Sequence, residues 1–558
     1  MGNAAQPAKE KSILGQGLLL AGAGMITKVI GFAYRIPMAN ILGEEGNGIY
    51  SVAFGIYNVA LTLSSYSLPL AVSKLIAARK AKNEEGNSEK LFRLALGFAL
   101  VAGTLACLAL ILSAETLEGV YNCPGLAGPL RVLGLTTFIV SVLGVFRGFF
   151  QGMRDMRPTA VSQIIEQIVN AVVSVGAAYA LSSWAMEGKV FVNSADEARA
   201  SLVAGEIPRA SYAAAGGTLG TFSGAFAALI TLLVIYFLYR KKHRTGERIS
   251  SAAASSESFS HLLFLLIGTI FPVIVSQTVY QIGYTVDDLV FGRLMAERGI
   301  PAELVTSLRG VFNTQYNQLI NLPVAVATAM AASALPGIVA AVAKNGKEEG
   351  FGKASRILSF NMAIAFPSAV GLAVLADPIM GLLFPRLVTW HDMAASLLWT
   401  GSSAVVFYAL STLTTSMLQA LDHMTTPVVH SGISLGIHVL IIYVLLKTTG
   451  LGIYALIIGN VTFPFCVCTM NLATLRRLGF KADWQKIIIK PFLASLAMGA
   501  AVFLAYQLMQ LLISEHIFDM WHSLIPTALS MLIAIAVYLP LAHKMGIINV
   551  LNLKANLR

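Results

Sequence analysis

Apolar residues come in runs of roughly 20 or more divided by short polar loops, and this limits the fold more than any other feature of the chain. About fourteen runs lie near residues 13–39, 47–77, 88–113, 129–151, 158–182, 213–239, 259–286, 309–342, 354–376, 393–420, 426–447, 452–475, 487–513 and 521–543. A segment in hydrocarbon must satisfy its backbone N–H and C=O groups within a helix or a closed barrel. Barrel strands are about 10 residues long and alternate in polarity, whereas these runs are longer and continuous. The sequence predicts an all-α polytopic membrane protein with about 14 transmembrane helices. Composition agrees: of 558 residues, 56% are hydrophobic and 12% charged, about half the charge of a soluble protein. A soluble multidomain enzyme, a nucleic-acid binder and a disordered scaffold all fit this pattern poorly. Lys9 and Lys11 precede a first run too long for a signal-peptide core, so no cleaved leader is expected. Gln6 stands where a myristoylation motif needs Ser or Thr.

The net charge of +11 is sorted by side of the membrane. With both termini and every even-numbered loop on one side, that side holds about 27 of the 39 Lys and Arg residues and the other about 9. The chain is therefore expected in the cell membrane with both termini cytoplasmic, its basic loops near anionic lipid headgroups. The remaining cations, Lys28, Arg35 and Lys74, fall inside spans.

Glu84-Glu85-Gly86 with Lys90 and Arg93 reappears as Glu348-Glu349-Gly350 with Lys353 and Arg356, about 263 residues later. Gln151-Gly152-Met153 with Met156 and Pro158 is echoed by Gln419-Ala420-Leu421 with Met424 and Pro427, and Gly48-Ile49-Tyr50 by Gly310-Val311-Phe312. Chance likeness among short charged loops is the alternative to duplication. Duplicating six spans preserves orientation and relates the copies by an axis along the membrane normal. The expected organisation is two six-helix lobes in parallel repeat, residues 1–245 and 246–480, plus two extra C-terminal helices in 481–558. Two bundles facing each other across a cavity suit alternating access.

The first span carries Thr27, Lys28, Gly31, Tyr34 and Arg35, with Lys28 near the bilayer centre and Arg35 about two turns away on the same face. A cation facing lipid costs several kcal/mol. That face should turn to a water-filled cavity or an anionic ligand, with Gly24 and Gly31 allowing close approach. Alternatively, Lys28 pairs with Glu166 of the fifth span and Arg35 snorkels. Lys74 follows a helix-distorting Pro69, and there snorkelling competes with headgroup binding. The seventh span has a polar stripe of Ser276, Gln277, Tyr280, Gln281, Tyr284, Asp287 and Asp288, and the eighth has Asn313, Asn317 and Asn321. Such groups either hydrogen-bond a sugar or peptide headgroup or tie helices together. Tyr50, Phe54, Tyr57 and Asn58 read as an interfacial belt near the outer leaflet. His430 and His438 read as packing residues, and Asp422 with His423 is the place where a coupling ion could bind.

Enzyme signatures are missing: there is no Walker-type loop, no His-Glu-x-x-His motif and no nucleophile elbow. Cys466 and Cys468 lack companions for a metal site and read as packing residues. No cofactor and no metal is expected. Without a soluble nucleotide domain, transport must draw on a gradient of an ion or of the substrate itself.

The stretch Thr27-Lys28-Val29-Ile30-Gly31-Phe32-Ala33-Tyr34-Arg35-Ile36-Pro37, then Leu42-Gly43-Glu44-Glu45-Gly46, Gly48-Ile49-Tyr50, and Leu68-Pro69 with Ser73-Lys74, resembles the opening of the stage V sporulation protein B and polysaccharide-biosynthesis group. That group belongs to the multidrug/oligosaccharidyl-lipid/polysaccharide (MOP) flippase superfamily, and its Gram-positive members include lipid II flippases of peptidoglycan biosynthesis. The resemblance is sharp over about the first 95 residues and continues as topology. It implies a central cationic cavity for a pyrophosphate and sugar-peptide head, and a groove by the last two helices for a polyprenyl tail. The group's first-span basic positions fall on Lys28 and Arg35. The Gram-negative lipid II branch has Arg-Asp where this chain has Tyr34-Arg35, which leaves other undecaprenyl-linked glycans open. The expected function is flipping of an undecaprenyl-pyrophosphate-linked cell-wall precursor, with lipid II first, and with membrane lipids and a coupling ion as further partners. Lys28, Arg35 and Lys74 would neutralise the pyrophosphate, with Thr27, Tyr34, Glu166, Gln277, Gln281 and Asn317 completing the binding set. Rival readings are an exporter of another lipid-linked polysaccharide unit, a multidrug or cation antiporter of the same superfamily, a membrane-embedded glycan-synthesis enzyme, and a non-transporting scaffold. An enzyme would need acidic catalytic residues or a large outer loop, and the stretch from Glu187 to Arg209 reads instead as a solvated linker.

Overall fold

The computed structural model describes residues 13–82, 84–187, 195–243, 257–512 and 519–547. Among the described residues every regular element is helical: α1 (Ile13–Ser64), α2 (Leu68–Ala81), α3 (Glu85–Tyr121), α4 (Ala127–Gly152), α5 (Arg157–Glu187), α6 (Ala195–His243), α7 (Phe259–Glu297), α8 (Ala302–Gly310), α9 (Asn317–Asn345), α10 (Lys347–Val374), α11 (Ala376–Leu383), α12 (His391–Gly401), α13 (Ala404–Ala420), α14 (Thr426–Thr448), α15 (Tyr454–Arg477), α16 (Lys490–Leu512) and α17 (Asp519–Lys544). Wider π-helical turns at Val311–Tyr316 and Gln485–Ile489 lead into α9 and α16. Among the described residues ten helical segments are long and apolar enough to cross a membrane, or eleven if α12 and α13, bent by 43°, form one span. The expected linker before Arg209 is helical from Ala195 onward, because its Ala-rich sequence continues the helix that follows.

A straight helix of 52 residues would be about 78 Å long, far more than the hydrocarbon core. α1 is instead broken at Gly43, whose φ of 70° and ψ of 179° only glycine adopts without strain. Asn47 bridges the break by donating its amide to Ala39 O at 2.8 Å and Gly43 O at 2.6 Å. The run expected over 47–77 is also interrupted, by a turn at 65–67. Pro69 sits in the first turn of α2, where a missing N–H costs nothing, so it starts a helix rather than distorting one.

The helices group into two compact units, residues to Asp288 with Pro301–Ser307, and Leu289–Ile300 with Leu308 onward. In the first unit, glycines four apart form two contact stripes. Gly216, Gly220 and Gly224 of α6 lie against α5, where an added Cβ would meet Ala177 O at 2.5 Å, overlap Ser174, or meet Glu166 O at 2.5 Å. Gly144, Gly148 and Gly152 of α4 receive Pro69, Val72 and Ile76 of α2 in the same way. Beyond them Phe92, Phe146, Phe149 and Tyr236 form an aromatic cluster with Phe92 ring centroids 4.8 to 5.4 Å from the other three.

In the second unit the C-terminal helices are fastened to α10. Tyr538 of α17 donates its hydroxyl to Ala363 O at 2.7 Å, and Gly499 of α16 meets Val370. The turns that end α4 and α13 match in detail. Arg154 (φ 59°) and Asp422 (φ 65°) are both left-handed. Arg154 N donates to Gln151 O and Asp155 N to Phe150 O, as Asp422 N does to Gln419 O and His423 N to Leu418 O.

Candidate functional site

The first half of α1 presents the cationic residues. Lys28 and Arg35, seven residues apart, are both exposed. Thr27 spends its hydroxyl on Gly24 O at 2.9 Å, within its own helix. Tyr34 is buried and accepts a hydrogen bond from Asn170 Nδ2 of α5 at 3.3 Å. Asn170 Oδ1 accepts from Ser174 Oγ at 2.8 Å, and that hydroxyl lies 2.8 Å from Gly217 O of α6. This chain of contacts fixes α1 against α5 and α6. Arg35 lies in electrostatic reach of the Tyr34 and Tyr50 hydroxyls. Gly31 lets Gln167 Nε2 of α5 come within 3.1 Å of where a Cβ would stand, whereas Gly24 has no neighbour within 4 Å.

Glu166 does not pair with Lys28. Its Oε2 lies 2.5 Å from Arg147 Nη2 of α4, and Arg147 Nε also donates to Ser162 Oγ at 3.2 Å. Side-chain exposures of 15% and 27% make this pair half-buried rather than solvent-screened. Among the described residues neither Lys28 nor Arg35 forms an ion pair with a carboxylate. Tyr50 and Tyr57, expected in an interfacial belt, are instead buried at 7% and 4% exposure, with Phe54 packed between their rings at 4.5 and 5.7 Å. The break at Gly43 turns this second half of α1 into the interior of the unit.

Lys74 is exposed on α2. Gln281 of α7 is half-buried, and its carbonyl accepts from Thr285 Oγ1 at 3.2 Å, a hydroxyl that also reaches Gly55 O of α1 at 3.4 Å. The side chain of Gln277 lies outside the described residues. Asn317 belongs to the second unit. There its Oδ1 accepts from Asn460 Nδ2 at 2.7 Å and its Nδ2 donates to Asn313 Oδ1 at 3.3 Å, so it ties α9 to α15. His430 and His438 are likewise engaged, with Asn471 Oδ1 at 2.7 Å and Gly459 O at 2.9 Å. Cys466 and Cys468 are free thiols of α15, and among the described residues neither belongs to a cluster that could hold a metal. The Arg147–Glu166 pair stands where the sequence suggested a Lys28–Glu166 pair. Its signal was Glu166, the one acid of the fifth run, beside Arg147 near the end of the fourth.

Residues 13–223 match the family described as polysaccharide biosynthesis protein. The chain is 24% identical to stage V sporulation protein B of Bacillus subtilis (strain 168), over 83% of each chain. It is 23% identical to the lipid II flippase MurJ of the same organism, over 71% of this chain and 70% of that protein. Its fold resembles that of the lipid II flippase MurJ in an inward closed conformation, with a TM-score of 0.63 at 14% identity, over 94% of this chain and 98% of the other. An inward-facing multidrug resistance transporter of the MATE family and MOP superfamily matches with a TM-score of 0.61 at 16% identity, over 81% and 95%.

Proposed function

We propose that this transporter flips an undecaprenyl-pyrophosphate-linked cell-wall precursor, lipid II first among the candidates, from the cytoplasmic to the outer leaflet by alternating access. The observation that carries this reading is the pair Lys28 and Arg35: both are exposed on α1, while the acid that could have neutralised Lys28 is taken by Arg147. An uncompensated cation within a span is maintained against its solvation cost only where water or an anion meets it. A pyrophosphate passing that face supplies the anion, and fixed cations lower the barrier for a headgroup that bare hydrocarbon would exclude. Lys74, Thr27, Tyr34, Glu166, Gln277, Gln281 and Asn317 complete the proposed binding set, Glu166 by holding Arg147 and Asn317 by shaping α9.

Fourteen crossings follow if the broken α1 crosses twice and α7 and α9 each cross once. The basic loops then put both termini in the cytoplasm. The duplicated loops support lobes at 1–245 and 246–480 with an appended pair at 481–558, and the matched turns after α4 and α13 strengthen the case for duplication. The likeness to a MATE transporter keeps drug export as a second reading. Cations on α1 disfavour it, since an exporter of organic cations works with acidic groups.

Lys28→Ala and Arg35→Ala should each fail to sustain growth of a cell depleted of its own lipid II flippase, at unchanged membrane abundance, while Lys28→Arg retains function. Normal growth of both alanine variants would remove the assignment. If growth fails but the lipid intermediate trapped in depleted cells is another undecaprenyl-linked glycan, the substrate is that glycan.

A further inference from the structure

The corner formed by α11 and α12 in the second unit brings together three groups that have no part in the proposed transport site. Asp377, in the first turn of α11, and His391 and Asp392, in the first turn of α12, each present a donor atom, and these atoms lie within 4.8 Å of one another. His391 Nε2 stands 2.9 Å from Asp377 Oδ1. Gly381, one turn after Asp377, makes room for the ring: a Cβ there would already touch His391 Cε1 at 3.6 Å. No short motif announces the set, because Asp377 and His391 are 14 positions apart.

A helix start favours an acid through its dipole, which accounts for each aspartate singly. It does not account for two carboxylates and an imidazole nitrogen converging on one point, where like charges repel unless a cation stands between them. Among the described residues neither carboxylate pairs with a Lys or Arg, and Arg386, in the turn between the two helices, is engaged elsewhere. Ligands bound to zinc at about 2.1 Å lie about 3 Å apart at a right angle and about 3.4 Å apart in a tetrahedron. The 2.9 Å contact already has nearly that spacing, and rotation of the exposed Asp392 side chain brings in the third donor. An imidazole among carboxylates selects zinc over magnesium or calcium, which take oxygen ligands. We propose that Asp377, His391 and Asp392 form an open zinc site that staples α11 to α12, with water completing the coordination. The ion would take the place of the proton between Nε2 and Oδ1. Tyr506 of α16, in electrostatic reach of Asp377 and 2.8 Å from Gln510 Nε2, would support that carboxylate from behind. Tyr316 already donates its hydroxyl to Gly401 O at 3.2 Å, so the staple would fix the other end of α12, the first arm of the pair bent by 43°. The site is independent of the substrate assignment.

The test is calorimetric titration of the tag-free, full-length protein with zinc chloride after treatment with a chelator. The natural chain should bind one zinc ion, keep it in a large excess of magnesium, and melt at a higher temperature with zinc than without. His391→Ala with Asp392→Asn removes two of the three ligands and should weaken binding by at least about a hundredfold, and with it the thermal shift. X-ray absorption at the zinc edge should show a shell of nitrogen and oxygen that includes an imidazole. No zinc bound by the natural chain, equal binding by the double variant, or a shell containing sulfur would overturn the proposal. Displacement of zinc by magnesium would overturn it too, by reducing the cluster to an acidic patch that attracts any cation.

Discussion

Arg147 and Glu166 show how a residue-level reading of a membrane sequence goes astray. Spacing along one helix puts Lys28 and Arg35 on a common face, because that depends only on helical period. It could not say which of two cations reaches Glu166, because that depends on how α4 and α5 approach each other. The pair sits where water is scarce, so removing one member leaves a charge that the surroundings solvate poorly. Glu166→Ala should lower the thermal stability of the detergent-solubilised protein by about 2 kcal/mol, typical of a lost hydrogen bond to a charged group. The double variant Arg147→Ala with Glu166→Ala should recover part of the loss, and a double variant as unstable as the sum of the singles would show that the two do not interact. The same limit applies to Asn317. Its side-chain type was read from sequence, while its partner Asn460 lies 143 positions away and is brought to it only by the packing of α15.

At the scale of elements, the apolar runs gave the helices their places but not all of their interruptions. The break at Gly43 falls in the polar stretch Gly43-Glu44-Glu45-Gly46-Asn47 between the runs at 13–39 and 47–77, whereas the turn at 65–67 interrupts the second run with only Ser64, Ser65 and Ser67 to mark it. Hydropathy marks the gap around Gly43, while the φ of 70° that makes glycine necessary there is visible only in the structure. Gly43→Ala should cost about 1–3 kcal/mol through backbone strain alone. The four-residue stripe Gly216, Gly220 and Gly224 has the spacing of a close-packing motif. Gly220→Ala should destabilise by about 1–3 kcal/mol because Ser174 and the α5 backbone fill the space of the new methyl group, whereas Gly176→Ala, facing nothing within 4 Å, should be neutral. Equal melting temperatures for the two variants would show that the α5–α6 contact is looser than the structure has it.

For the whole molecule, hydrophobic run length was enough to expect a helical multi-pass protein, and the first 95 or so residues were enough to point to the polysaccharide biosynthesis family whose model matches residues 13–223. Both are carried by local sequence. Substrate is not local: it depends on which side chains from distant helices meet one headgroup, and at 23% to 24% identity to the named relatives that constellation is free to change. The central claim is that fixed cations on α1 carry a pyrophosphate across the membrane, and reconstitution tests it most directly. Purified protein in vesicles loaded with lipid II should expose its headgroup to an externally added modifying enzyme faster than protein-free vesicles do. Lys28→Ala with Arg35→Ala should return that rate to the protein-free level, and a double variant that still moves lipid II at the natural rate would contradict the account.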